Sequence, residues 1–221
     1  MSTTPGNDRW EIVPASTIYQ IFEETVILPK FQIVKNGVLA RQVSVDLIHV
    51  VKLAAFKGAA YGFHWGVSLT YIPHRWEEEL RWHRSMKSAT LDLWDQLADL
   101  PQAPNHTQVS IPSSLHGPEA FEHSLRREWQ DLKGTITSWL ERVSDLSGVL
   151  AMSKEQTQRY WKGPRHWPPP GLAHAFTLAR MGDFAKATAE LKVIADGEAS
   201  DPNNLLFKAL ERVSSQVSSD R

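Results

Sequence analysis

The chain is predicted to be an α+β protein: an antiparallel sheet packed by helices, followed by a C-terminal helical hairpin docked on the main domain. Three observations predict it. Apolar residues alternate at period two between residues 43 and 71, they recur at near-helical spacing on both sides of that stretch, and prolines and glycines separate the patterns.

The first element is a helix. Thr17 with Gln20 three residues on makes a capping box, Ile18, Ile21, Phe22 and Val26 form its apolar stripe, and Pro29 closes it. Two short runs follow, Phe31 to Lys35 and Val38 to Arg41, joined by Asn36-Gly37, a dipeptide that tolerates positive φ in a hairpin turn. The next strand places Val43, Val45, Leu47, His49, Val51 and Leu53 on one face, with Ser44, Asp46 and Lys52 among the alternates. After a Lys57-Gly58 turn, Tyr61, Phe63, Trp65, Val67, Leu69 and Tyr71 form a second, aromatic face, so the two strands pair antiparallel and need a helix over them.

Helical patterning resumes at Pro73, with Trp76, Leu80 and His83, then Leu91, Trp94 and Leu97, until Pro101 and Pro104 stop it. A proline-bearing loop from Gln102 to Pro118 leads into a long helix. Its seam is Leu125, Trp129, Leu132, Ile136, Trp139, Val143, Leu146 and Leu150, with Gly134 the position at which it would bend. Gly163-Pro164 and Pro168 to Gly171 then enforce an extended connector, which divides the chain into a sheet-and-helix domain, 1–162, and a helical tail, 163–221. In the tail, Ala175, Leu178, Gly182, Ala187 and Leu191 resemble a single tetratricopeptide-type hairpin turning at Gly182-Asp183, and a third helix runs from Asn203 to about Gln216. One such hairpin cannot bury its own apolar face, so it is expected to dock on the rest of the chain.

Composition narrows the function classes. The 221 residues carry a net charge of -1, so no global field draws in nucleic acid or anionic lipid. With no Cys there is no disulfide framework, thiolate nucleophile or Cys-type metal site, which fits a cytoplasmic setting. The polar start, Met1 to Asp8, lacks the features of a secretory signal, and no window reaches the ~18 apolar residues of a membrane span.

The order of helix, hairpin and two long strands, with Val51-Lys52-Leu53, the Trp65-Gly66-Val67-Ser68-Leu69 strand and an exit at Pro73, resembles a broad bacterial family of small α+β proteins known as domain of unknown function number 4304. The resemblance covers Ser16 to Leu150 and carries no activity across. It implies a place among candidate immunity proteins, which neutralise a bacterial toxin by binding it. Inhibitors that imitate nucleic acid are strongly acidic, so a chain of this near-neutral charge need not face a nuclease.

Among chemistry-bearing residues, the nine histidines come first. His74 and His83 would lie on opposite sides of one straight helix. His49 sits on an aliphatic face and reads as a hydrogen-bonded structural residue, while Ser68, His64 and Asp46 can be drawn as a triad but lack a nucleophile elbow. Glu77-Glu78-Glu79 cannot converge on one ion from a helix, and with Arg75, Arg81 and Arg84 it reads as a solvated, ion-paired face. Lys57-Gly58 and Lys133-Gly134 lack the spacing of a phosphate loop. The most suggestive segment runs from Arg159 to Trp167, where cations interleave with aromatics: Trp161 and Trp167 are expected first to anchor the tail helices on the main domain, failing that Trp161, Arg165, His166 and Trp167 are the partner-binding residues, and stacking on nucleic acid is the third reading.

The expectation is therefore a non-enzymatic, cytoplasmic, partner-binding protein, with no catalytic, cofactor or metal residues assigned and neither nucleic acid nor membrane among its partners. The protein partner is a toxin if the resemblance holds. The rival is a hydrolase or metal-dependent enzyme using His49, His64 or His74, and a third reading makes the tail hairpin a peptide scaffold. Oligomeric state is left open.

Overall fold

The computed structural model describes residues 13–56, 60–76, 79–82, 85–96, 111–112, 117–160, 168–197 and 204–219. Helix α1 (Ala15–Thr25) precedes strands β1 (Gln32–Lys35), β2 (Val38–Gln42), β3 (Leu47–Phe56) and β4 (Ala60–Leu69). Then come β5 (His74–Trp76), β6 (Glu79–Arg81), a 3-10 turn (Met86–Ser88), β7 (Leu93–Gln96) and β8 (Ile111–Pro112). Helices α2 (Gly117–Arg142), α3 (Leu146–Tyr160), α4 (Pro170–Arg180), α5 (Phe184–Gly197) and α6 (Leu205–Ser219) complete the chain. The antiparallel sheet has the order β1-β2-β3-β4-β7, with β8 also on β4, while β5 and β6 make a separate two-stranded ribbon. The α+β class is as the periodicities predicted.

Two compact units emerge from the packing. The first comprises 1–39, 51–64 and 96–134, the second 40–50, 65–95 and 135–221, and strands β2, β3 and β4 run through both. The boundary expected between 162 and 163 falls among residues outside those described.

In the first unit aromatic packing closes the fold. The Phe63 ring lies 5.9 Å from Phe22 of α1 and 5.7 Å from Trp129 of α2, so both helices cover one face of the sheet. Tyr61 meets Tyr19 at 6.5 Å and Phe121 at 5.9 Å, both edge-on. Helix α1 starts two residues before Thr17, behind Pro14, whose carbonyl takes the Ile18 N–H at 3.1 Å. The expected capping box does not form, because Gln20 donates instead to Glu24, at 2.9 Å. The Asn36-Gly37 turn is as expected, with Gly37 at φ 67°, and a Cβ there would lie 2.4 Å from the Tyr19 ring. Turn geometry and close packing both demand the glycine.

Hydrogen bonds from Leu53 N–H to Gly37 O and from Val43 N–H to Leu47 O, each 2.9 Å, fix the register of β2 on β3. It sets Val38 opposite Lys52 in the first unit and Arg41 opposite His49 in the second.

In the second unit three expectations are corrected. Residues Val43 to Asp46 are a bend, not the start of a strand, because the Val43 and Ser44 N–H groups both turn back to Leu47 O, and Val45 is 78% exposed. The helix expected from Pro73 to Leu97 is instead β5, β6, the 3-10 turn and β7. Edge pairing overrides the helical spacing: the Asp92 N–H bonds Val67 O at 3.0 Å, and the Asp92 carboxylate accepts the Leu69 N–H at 2.7 Å. Gly66 permits this approach, since a Cβ there would lie 2.3 Å from Leu93 O. The long seam to Leu150 is two helices: α2 runs through Gly134 and stops at Arg142, and Asp145 accepts the Gly148 N–H at 2.7 Å to start α3.

The tail behaves as its pattern required. Helices α4 and α5 form a hairpin through Gly182-Asp183, and α6 packs against both. Within this unit α4 docks on α3, and its Thr177 Oγ1 meets Tyr71 OH at 2.8 Å in the buried interior. No helix among the described residues is long and apolar enough to cross a membrane.

Candidate partner-binding surface

Several of the polar side chains singled out in the sequence hold the fold: His49, Ser68, Asp46 and Arg159. His49 is fully buried, with Nε2 3.2 Å from Val143 O and Nδ1 3.0 Å from Arg41 Nη2. A carbonyl only accepts, so Nε2 carries the proton and Nδ1 accepts from the guanidinium. Burial, reinforced by the Arg41 charge and opposed by the Val143 bond, lowers the imidazole pKa to about 4. His49 is thus a neutral bridge between β3 and the end of α2.

Two members of the drawn triad, Ser68 and Asp46, are committed elsewhere. Ser68 Oγ accepts the Thr90 N–H at 3.2 Å, and both Asp46 oxygens accept from Arg180 Nε at 3.2 Å. His64 lies half-buried on β4, and His74 opens β5 opposite Arg81. Of the run Glu77 to Glu79, Glu79 begins strand β6 and is not helical, and its two predecessors lie outside the described residues. Among the described residues no three His, Asp or Glu side chains gather as a metal-ligand cluster.

Two further polar clusters pin helices. Arg159 of α3 reaches the buried Asp95 at 3.2 Å and Glu155 at 2.7 Å, and Gln156 donates to Trp94 O at 2.9 Å. Partial burial works against ionisation of Glu155, but the bonds and charges of Arg142 and Arg159 hold its pKa below the usual carboxylate value. Ser153 Oγ lies 3.0 Å from His174 Nδ1 and donates to Leu150 O at 2.9 Å. The pair joins α3 to α4.

One candidate for recognition among the described residues lies in the second unit. The Asp46–Arg180 pair ties the bend before β3 to the C-terminus of α4, and Thr70 Oγ1 donates to Val45 O at 2.9 Å, fixing that bend a second time. Val45 precedes Asp46 and Met181 follows Arg180 in the chain, so each exposed residue is the sequence neighbour of one end of this ion pair. Val45 is 78% exposed, Met181 40% and Phe184 37%. The Asp183–Lys186 pair, at 2.6 Å, borders them. Exposed aliphatic, thioether and aromatic groups around a tethered ion pair, with a charged rim, have the composition of a protein-binding patch.

No protein-family model, no curated protein and no solved structure matches this chain. The partner-binding residues expected from sequence, Trp161, Arg165, His166 and Trp167, lie outside the described residues. Sequence reading missed the Val45 surface, since alternation put Val45 on the buried face. A signal existed in Met181 and Phe184, two large apolar residues bracketing the Gly182-Asp183 turn, where polar residues are the rule.

Proposed function

We propose that the chain is a non-enzymatic binding protein that engages a protein partner through Val45, Met181 and Phe184. The observation that carries this reading is the exposure of these three side chains at segments joined by the Asp46–Arg180 ion pair, since such groups are costly to leave in water unless a partner covers them. We further propose that the partner is a bacterial toxin and the chain its cytoplasmic immunity protein. The resemblance to the family of unknown function and the cysteine-free composition support that narrower reading. The net charge of -1 favours a toxin other than a nuclease inhibited by mimicry.

The test is to purify the product of the neighbouring gene and mix it with this chain. A stoichiometric complex on gel filtration, and protection of cells that express the neighbour, are the expected results. Co-elution without protection would keep the binding role and remove the immunity role, and separate elution would count against both.

A further inference from the structure

The bend that carries Val45 is held from both sides. Thr70 straddles it, its Oγ1 donating to Val45 O at 2.9 Å and its N–H to Asp46 O at 3.0 Å. Ser44 Oγ accepts the Asp46 N–H at 3.2 Å, the Val43 and Ser44 N–H groups turn to Leu47 O, and the Asp46 carboxylate accepts from Arg180 Nε. The side chain between these bonds is the most exposed large apolar group among the described residues, at 78%. A fixed backbone beneath a protruding branched side chain makes a knob, with little conformational freedom left to lose when it is covered.

Charge around the knob is already balanced. Across residues 42–46 and 180–186 the charged side chains are Asp46, Arg180, Asp183 and Lys186. They pair with one another, Asp46 with Arg180 at 3.2 Å and Asp183 with Lys186 at 2.6 Å. A charged group of a partner would have to open one of these pairs to form one of its own, an exchange with little net gain.

We infer that Val45 is the anchor of the proposed partner site and inserts into an uncharged, apolar pocket of the partner protein, with Met181 and Phe184 adding apolar contact. The inference rests on that surface being the partner site and names what the partner brings to it. Shape and charge select the occupant. A second copy of this chain would present the same knob, and two convex surfaces cannot bury each other. An acidic or basic segment finds both ion pairs already closed. A hollow lined by apolar groups gains from covering the valine and disturbs neither pair.

The probe is β-cyclodextrin, an uncharged host with an apolar cavity, titrated into the full chain and followed by amide NMR beside its sulfated and amino-substituted forms. The uncharged host should perturb residues 43–46 and 181–184, with an affinity that changes by no more than about twofold between about 0.05 and 0.5 M salt. Neither charged form should bind there more tightly. Val45→Asp should weaken the response at 43–46 about tenfold and Val45→Ile should keep it, and the unchanged remainder of the spectrum shows that both variants are folded. A charged host preferred tenfold at these residues, an equal response in Val45→Asp, or a dimer that forms with rising concentration and is lost in Val45→Asp would overturn the inference, the last by making the surface an interface between copies. A host that perturbs neither 43–46 nor 181–184 would overturn the partner site itself, and the inference with it.

Discussion

The two units are closed by different chemistry. In the first, rings interlock: Phe63 between Phe22 and Trp129, and Tyr61 between Tyr19 and Phe121. In the second, polar bridges tie strands and their flanking turns to the helical segments: His49 to Val143, Asp95 to Arg159, Tyr71 to Thr177, Asp46 to Arg180. Aromatic closure is non-directional and tolerates adjustment, whereas each bridge needs both partners in place and leaves a buried polar group stranded if one is lost. The contrast implies that truncation should hurt the first unit most, and that changes of charge state should hurt the second.

The largest effect is expected for Phe63→Ala. It empties the space between Phe22 and Trp129 and should lower unfolding stability by about 4 kcal/mol, measured by chemical denaturation. Next is the pH response of the second unit. The His49 pKa is lowered from 6.5 to about 4 on folding, so its contribution is present above pH 6.5 and is lost as pH falls toward 4. The full loss is about 3 kcal/mol. Denaturation midpoints between those pH values should fall in the wild type and fall much less in His49→Gln, which keeps hydrogen-bonding groups without titrating. Tyr71→Phe should cost about 1 kcal/mol, because Thr177 still donates to Ala173 O when its bond to the Tyr71 hydroxyl is lost. A calorimetric scan resolves that difference.

The legibility of the fold follows the same division. The aromatic face of β4 is written at period two, from Tyr61 to Tyr71, and the tail hairpin in its small residues and Gly182-Asp183 turn. The polar bridges have no such signature. Asp92 and Asp95 look like solvent-facing positions of a helix, yet they are buried, one holding the edge of β4 and the other holding Arg159. The partners of Asp95 and Asp46 lie 64 and 134 residues away, and no local pattern encodes such a pairing. The helix expected after Pro73 failed for this reason: its spacing was right for a helix, but β4 needed an edge partner. Val45 failed differently, as a β-branched residue in phase with a strand that begins only at Leu47.

The smallest expected change in stability per substitution accompanies the largest expected change in function. Val45→Asp with Met181→Asp and Phe184→Asp alters exposed positions, so unfolding stability should move by no more than about 0.5 kcal/mol for each. Affinity capture from native cells, with the wild-type and triply substituted chains as baits side by side, tests the central claim most directly. A single protein retained in stoichiometric amount by the wild type and lost from the folded variant is the expected result. Recovery of the same protein in equal amount by both baits would contradict a partner site at Val45, Met181 and Phe184.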